Sequence, residues 1–189
     1  MKKKPNICLF DMDGTICDFA SAMNAKLAEL RSPFEPKVID PKKRYRWMKA
    51  RRSLIKATPG FWQNLAPLDA GFDLIQIAND LKYENHILTQ GPKNSNNAWI
   101  EKKIWCDKYI PDLKVNMSQD KSLVHGNVLV DDWPPYFLPW LKAHPIGLVV
   151  AVAQPWNEDV SHNRLIRYTR ENYAEVTERM TWALNEKEQ

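Results

Sequence analysis

Residues 6–15 have the sequence Asn-Ile-Cys-Leu-Phe-Asp-Met-Asp-Gly-Thr, a short apolar run that ends directly in two carboxylates and a glycine. Such a run beside a polar turn is typical of a buried strand. Asp11 and Asp13 would share one face of an extended strand, and a turn at Gly14 lets both approach one small volume. Because two carboxylates that close repel each other, the arrangement favours a cation between them. Mg²⁺, a hard ion that binds oxygen ligands, suits that position.

A calcium-binding loop of the EF-hand type is the main alternative for this acidic turn. Such a loop ends in a glutamate at its twelfth position, which corresponds to residue 22 here. That residue is Ala22, so the calcium loop is disfavoured.

Apolar runs alternate with helical patterns along the rest of the chain. The spacing of apolar residues predicts strands at 6–10, 86–89, 114–117, 127–130 and 146–153, and helices at 69–82, 95–109 and 163–184. This alternation predicts an α/β, Rossmann-like fold with a mostly parallel sheet and helices on both faces. In such sheets the functional site lies outside the carboxyl ends of the strands. The polar residues that follow predicted strands are Asp11, Asp13, Thr89, Asp131 and Asp132.

The segment 19–63 interrupts the alternation. It begins with helical spacing, becomes rich in proline at Pro33, Pro36 and Pro41, and then turns basic and aromatic. We interpret it as a small helical cap inserted into a core domain made of residues 1–18 and 64–189. Eight basic residues lie between positions 42 and 56, a cluster that fits an anionic ligand and a solvated helix face equally well.

Composition narrows the class of protein. A length of 189 residues suits one domain with a small insertion. No apolar run approaches the roughly 18 residues that span a bilayer, and the N-terminal apolar stretch is too short for a signal peptide. The three cysteines include no CxxC pair, which argues against a disulfide framework or a zinc site. We therefore expect a cytoplasmic protein with no membrane partner.

The segment Asp11-Met12-Asp13-Gly14-Thr15 resembles motif I of the haloacid dehalogenase (HAD) superfamily of phosphohydrolases. That superfamily also has a Thr or Ser that ends a second strand, a Lys before a fourth strand, and an acidic pair at the end of that strand. Thr89, Lys121 and the pair Asp131-Asp132 match these motifs in order. The resemblance covers most of the chain outside the insertion.

The resemblance implies a Mg²⁺-dependent phosphatase in which Asp11 is the nucleophile and forms an aspartyl-phosphate. A carboxylate is ionised at neutral pH and can attack phosphorus, unlike a serine hydroxyl. Asp13 would protonate the leaving group and then deprotonate the water that hydrolyses the intermediate. Thr89 and Lys121 would each bind a phosphoryl oxygen.

The resemblance also implies a ligand set for the metal. Asp11 and Asp132 would bind Mg²⁺ through carboxylate oxygens, and Asp13 would bind it through its backbone carbonyl. Asp131 would either bind the ion through water or orient Lys121, and the sequence leaves this choice open.

Within the superfamily the chain is similar to the 5'(3')-deoxyribonucleotidases. The segments that carry this resemblance are 60–68, 87–92, 99–102 and 120–132. After Thr89 the chain has Gln90-Gly91-Pro92 where the family usually has Ser-Pro. The family implies a small-molecule phosphate ester as substrate, specifically a nucleoside monophosphate.

Several residues are expected to bind such a substrate. A tight turn at Gly14 lets main-chain N–H groups approach a phosphate, and aromatic side chains offer a flat apolar surface to a base. Tyr45 and Trp47, in the basic stretch, are further aromatic candidates. The expected substrate-binding residues are Gly14, Thr15, Phe61, Trp62 and Gln90.

The sequence leaves two alternative functions open, one enzymatic and one non-catalytic. In a polynucleotide end phosphatase, the basic cluster would track a nucleic-acid backbone. The short insertion and the lack of a separate binding module argue against it, and we do not expect a nucleic-acid partner. In a non-catalytic HAD-like module that binds nucleic acid or protein, at least one motif residue should have been lost, yet all are present. Phosphomutases and phosphonatases use related sites, so these two activities stay open. Dehalogenase activity is disfavoured, because that chemistry has no need for a second carboxylate such as Asp13.

Overall fold

The computed structural model describes residues 5–35, 46–92 and 95–185. The strands within these ranges are β1 Ile7–Phe10, β2 Glu84–Thr89, β3 Lys114–Met117, β4 Val128–Val130, β5 Leu148–Val152 and β6 Leu165–Tyr168. They form one sheet in the order β3-β2-β1-β4-β5-β6, and every neighbouring pair is parallel. The α/β fold predicted from the sequence is confirmed.

The strand order reverses at β1. The chain first extends the sheet from β1 to β2 and β3, and then returns to the opposite side of β1 to form β4. Phe10, the last residue of β1, has Ile87 as its partner on one side and Val130 on the other. A reversal of this kind opens a crevice at the carboxyl ends of the two central strands, which is where such folds bind ligands.

Helices cover both faces of the sheet. They are α1 Phe19–Glu29, α2 Arg46–Ala57, α3 Asp69–Asp80, α4 Asn96–Tyr109, α5 Pro134–Ala143 and α6 Tyr173–Asn185. Successive strand residues alternate between two apolar clusters, as the pleat requires. Cys8 and Phe10 join a large cluster with α3, α4 and α6, whereas Leu9 joins a smaller one with α5.

The insertion leaves and re-enters the core at one place. Two short segments run antiparallel there through a bridge between Cys17 and Pro67. The Asp18 N–H donates to the Ala66 carbonyl at 2.8 Å, and the Leu68 N–H donates to the Ile16 carbonyl at 2.9 Å. These bonds fix the start of α1 relative to the strand that carries the acidic motif.

The two helices of the insertion pack on the core. Met23 of α1 and Met48 and Ile55 of α2 are buried in the large cluster. Arg51 forms an ion pair with Glu35, which joins α2 to the segment after α1. The predictions made for Pro36, Pro41, Tyr45 and the basic residues 42–44 lie outside the described residues.

The structure corrects two secondary-structure predictions. The helix predicted over 163–184 is wrong in its first half, where Leu165–Tyr168 forms the edge strand β6 and buries alternate residues. The helix α5 was not predicted because Pro134, Pro135 and Pro139 lie within it. Pro134 and Pro135 lie in the first turn, where their missing N–H would have no partner, whereas Pro139 lies inside the helix. All three obscure the helical pattern in the sequence. Within the described ranges, no helix has the length and apolarity to cross a bilayer.

Gly71 makes a close contact between α3 and the loop after β1. A Cβ placed on Gly71 would lie 2.2 Å from the carbonyl oxygen of Thr15. Gly71→Ala is therefore expected to lower the free energy of unfolding by about 1–3 kcal/mol, the usual cost of overpacking. Urea denaturation measures this. Gln76→Ala on an exposed position of the same helix is the control, and equal stability of both variants would contradict the contact.

Candidate active site

Three buried carboxylates meet at the carboxyl ends of the central strands. Asp11 follows β1, and Asp131 and Asp132 follow β4; one carboxylate oxygen of each lies within 4.8 Å of the others. The Asp11 N–H donates to the Val130 carbonyl at 2.8 Å, and the Asp131 N–H donates to the Val150 carbonyl at 3.2 Å. The parallel ladder thus continues past the strands and holds these carboxylates together despite their mutual repulsion.

Lys121 lies beside two of these carboxylates. Its ammonium is 2.7 Å from Asp11 Oδ1 and 2.6 Å from Asp131 Oδ2. Burial opposes the charge on Lys121, but the two carboxylates outweigh this effect and raise its pKa. The ring of Tyr136 lies 5.1 Å from the ammonium. An ammonium has three N–H donors, so a third remains for a further acceptor once the carboxylates have taken two.

Asp131 is bonded to the protein through both oxygens. Oδ2 accepts from Lys121, and Oδ1 accepts from the Trp133 N–H at 2.8 Å. Burial, together with the charge of Asp11, raises the pKa of Asp131 to about 6, although Lys121 acts in the opposite direction. Asp131 is therefore held in one orientation.

Asp132 accepts hydrogen bonds from neutral donors. Trp156 Nε1 donates to its Oδ2 at 2.9 Å, and Thr15 Oγ1 donates to its Oδ1 at 3.3 Å. Asn157 Nδ2 donates to its backbone carbonyl at 2.9 Å. Burial and the neighbouring charge of Asp131 raise the pKa of Asp132 well above its ordinary value. In the described part of the chain, this carboxylate forms no ion pair that would compensate its charge.

The loop after β1 passes close to Asp132 at Gly14. Gly14 has a φ of +81°, which glycine adopts without strain, and a Cβ there would lie 2.6 Å from Asp132 Oδ2. The Gly14 N–H donates to the Cys17 carbonyl at 2.9 Å, and the Thr15 N–H donates to the Met12 carbonyl at 3.3 Å. Gln154 Nε2 donates to the Gly14 carbonyl at 3.1 Å. The loop is thus held by bonds of its own and by Gln154.

Asp13 lies apart from the three-carboxylate cluster and has its own cation. Its Oδ2 is 2.5 Å from Lys102 Nζ on α4. Lys102 also donates to Thr89 Oγ1 at 2.9 Å and to the Gln90 carbonyl at 3.0 Å. Burial raises the pKa of Asp13, Lys102 lowers it, and the negative charge of Asp11 raises it further. Asp13 keeps 24% of its side-chain surface exposed, so it can reach a bound molecule.

The predicted aromatic residues lie where the insertion returns to the core. Phe61 and Trp62 are both buried. Phe19 stacks on Trp62 with ring centroids 5.5 Å apart and meets Phe61 edge-on at 5.8 Å. Trp47 lies elsewhere, on α2, with the guanidinium of Arg51 5.1 Å from its ring centroid.

Gln90 lies at the end of β2 and bonds to two neighbours. Its Nε2 donates to the Gln119 carbonyl at 3.0 Å, and its Oε1 accepts from the Tyr136 hydroxyl. The side chain therefore links the loop after β2 to α5, which also carries the ring beside Lys121.

Sequence reasoning missed Lys102, Trp156 and Gln154. A signal for Lys102 was present, because it shares one helical face with Ala98, Trp105 and Cys106, all of which are buried. A lysine on a buried face needs a partner. Trp156 and Gln154 gave no such signal, since their partners lie 24 and 140 residues away along the chain.

The fold is similar to that of a haloacid dehalogenase-like hydrolase from Burkholderia xenovorans LB400. The two structures have a TM-score of 0.52 and 15% sequence identity over 97% of this chain and all of the other. The fold is therefore that of the HAD-like hydrolases. Residues 5–181 match the family described as "5' nucleotidase, deoxy (Pyrimidine), cytosolic type C protein", and the chain belongs to this family.

Curated relatives bear the same kind of name. A protein of Acanthamoeba polyphaga mimivirus, named as a 5'(3')-deoxyribonucleotidase, is 31% identical over 136 residues, which are 66% of this chain and 62% of that protein. A Bordetella pertussis protein of the same name is 24% identical over 138 residues, 68% of this chain and 74% of that protein. The match thus spans less than two thirds of the mimivirus protein. The resemblance to this family predicted from the sequence is confirmed.

The raised pKa values of Asp131 and Asp132 determine how stability depends on pH. When the folded protein holds protons more tightly than the unfolded chain, stability falls as pH rises. In EDTA the free energy of unfolding is therefore expected to fall between pH 5 and 7.5. Asp132→Asn should raise it at pH 7.5 by about 1–2 kcal/mol, because the folded protein then no longer has to bury this carboxylate as a charge or protonate it.

Urea denaturation at the two pH values measures this effect. Asp112→Asn, at an exposed position, is the matched control and should change neither value by more than about 0.5 kcal/mol. A metal-free Asp132→Asn protein less stable than the wild type at pH 7.5 would show that the cost of burying this carboxylate is not the dominant effect.

Proposed function

We propose that this protein is a Mg²⁺-dependent phosphatase that hydrolyses phosphate monoesters through an aspartyl-phosphate on Asp11, with (deoxy)nucleoside monophosphates as substrates and residues 19–63 as the cap over the site. One observation carries the proposal. The predicted nucleophile Asp11 lies at the switch point of the sheet, the place after β1 where the strand order reverses. It is paired with Lys121 and lies next to two further carboxylates. Family membership supports the nucleotide as substrate.

The donor set fits a divalent cation. Asp11, Asp131 and Asp132 carry three negative charges when ionised, and Lys121 supplies one positive charge, so two remain uncompensated. Carboxylate oxygens are the ligands that Mg²⁺ prefers. Asp132 and Asp11 are the ligands we propose, with the backbone carbonyl of Asp13. When bound, Mg²⁺ would neutralise charge on the phosphoryl oxygens and help to orient them.

The hydrogen bonds favour different roles for the acidic pair. Asp131 already bonds to Lys121 through one oxygen and to the Trp133 N–H through the other. Both of its oxygens are therefore held by bonds within the protein, and we assign it to orienting Lys121. The carboxylate of Asp132 accepts hydrogen bonds only from uncharged donors, and Asp132 is therefore the better direct ligand for Mg²⁺.

Asp11 would attack phosphorus through Oδ2, while Oδ1, which accepts a hydrogen bond from Lys121, would keep a second acceptor site for the metal. The P–O bond to the leaving alkoxide breaks as the bond to Asp11 forms, and Asp13 gives its proton to the alkoxide. In the second step Asp13 takes a proton from water, whose oxygen attacks the phosphorus and releases Asp11 and phosphate. Thr89 and the remaining N–H of Lys121 bind phosphoryl oxygens during both steps.

Asp11→Asn should abolish phosphatase activity, with a loss of at least about 10³-fold in kcat, because an amide does not form the acyl phosphate. Release of inorganic phosphate from a deoxynucleoside monophosphate measures this. Beryllium fluoride, which mimics a phosphoryl group on a carboxylate, should bind the wild type and not the variant. Asp112→Asn is the control for fold and charge, and an unchanged rate for Asp11→Asn would remove Asp11 as nucleophile.

Removal and return of the metal give a second test. EDTA should stop turnover and excess Mg²⁺ should restore it. Mg²⁺ alone should also raise the melting temperature of the wild type, since a ligand that binds only the folded state stabilises it. The gain should be much smaller for Asp132→Asn. Turnover in EDTA, or an equal thermal gain in both proteins, would refute the proposed ion site.

A panel of phosphate esters tests the substrate class. Deoxynucleoside and ribonucleoside monophosphates, sugar phosphates and a 5'-phosphorylated oligonucleotide would be compared by kcat/KM in Mg²⁺. The highest values are expected for nucleoside monophosphates. A preference for the oligonucleotide that weakens with salt would favour a polynucleotide end phosphatase instead.

A further inference from the structure

We propose that Lys102 is a positioning residue that holds the proton-transfer group Asp13 and the phosphate-binding group Thr89 in their working geometry. The inference rests on the phosphatase function proposed above and assigns a role to a residue outside the superfamily motifs.

Lys102 has no donor left for a substrate. Its side chain is fully buried. Its three acceptors are Asp13 Oδ2 at 2.5 Å, Thr89 Oγ1 at 2.9 Å and the Gln90 carbonyl at 3.0 Å. An ammonium has three N–H donors, so these bonds use all of them. Lys102 therefore acts on the reaction through its neighbours, whereas Lys121 keeps one donor available.

The bond to Thr89 has a directional consequence. Because Thr89 Oγ1 accepts from Lys102, the hydroxyl hydrogen must be donated away from the ammonium. Lys102 thus leaves Thr89 as a donor, which is what a phosphoryl oxygen requires. On the other side, the ion pair restricts the Asp13 carboxylate to one rotamer, and proton transfer depends steeply on such positioning.

The same part of α4 holds the segment that returns from the insertion. Glu101, next to Lys102, accepts from the Gly60 N–H at 2.7 Å and from the Trp62 N–H at 3.0 Å. The Lys102 ammonium lies 4.7 Å from the centroid of the Trp62 ring. Two consecutive residues therefore join the insertion to Asp13 through one helix.

Stability alone does not account for a lysine here. Taking an ammonium out of water is costly, and well-packed apolar residues often serve equally well or better than a buried ion pair. A role in positioning Asp13 for the reaction accounts for the buried ion pair.

Lys102→Met tests the proposal, because methionine keeps much of the length and removes the charge. Two substrates would be compared by kcat/KM, which reports the step that releases the leaving group. For a deoxynucleoside monophosphate, whose alkoxide needs a proton, the loss should be about 10²–10³-fold. For 4-nitrophenyl phosphate, the phenolate leaves without a proton. The loss in kcat/KM should therefore be at least tenfold smaller, because only the effect of Lys102 on Thr89 is lost.

A purely structural role would lower both substrates equally, and that result would overturn the proposal, as would unchanged activity. Lys103→Met is the matched control, because Lys103 is exposed and pairs with Asp107 within the same helix. A wild type inactive on both substrates would instead refute the phosphatase function itself. Circular dichroism and urea denaturation confirm folding, and Lys102→Gln replaces Lys102→Met if the latter does not fold.

A double-mutant cycle shows whether Lys102 acts through Asp13. If it does, Lys102→Met should reduce nucleotide kcat/KM by less than about tenfold in an Asp13→Asn background, against the much larger loss in the wild type. Equal losses in both backgrounds would mean that Lys102 contributes independently of Asp13, and the proposal would fail.

Discussion

The repulsion among three buried carboxylates at the switch point of the sheet is the constraint on which this structure depends. Asp11, Asp131 and Asp132 are brought together because β1 and β4 are hydrogen-bonded neighbours whose parallel ladder continues beyond their last strand residues. The strands themselves are almost wholly buried, and their packing stabilises the sheet enough to hold the charges in place. The cost of holding these charges together is thus the physical reason why we propose a cation at the cluster.

Two lysines divide the charges into two sets with different tasks. Lys121 pairs with both Asp11 and Asp131 and offsets one of their two charges, whereas Lys102 pairs with Asp13. Asp132 is left without a cationic partner among the described contacts, which is why we propose it as a metal ligand. The division keeps Asp11, the proposed nucleophile, and Asp13, the proposed proton-transfer group, in separate environments although they are only two residues apart in sequence.

The sequence predicts best what depends on local pattern and topology. Asp11 and the acidic pair could be placed because each directly follows an apolar run, and the carboxyl ends of parallel strands meet at one edge. The role of Lys102 depends on the rotation of α4 about its axis and on Asp13, a partner 89 residues away, so spacing alone does not assign it to the site. The strand β6 was missed because a four-residue strand is too short for its alternation to be recognised beside the helix that follows it.

The placement of Lys102 on α4 also links the position of the insertion to the position of Asp13. The position of the insertion is set at its return segment, where Glu101 binds the backbone of Gly60 and Trp62. The position of Asp13 is set by the next residue of the same helix. Because a helix transmits small displacements rigidly over one residue, a shift of Trp62 relative to α4 would disturb the surroundings of the Asp13 ion pair as well. Glu101 and Lys102 of α4 therefore link residues 60–62 to Asp13, the proposed proton-transfer group, through two consecutive residues of one helix.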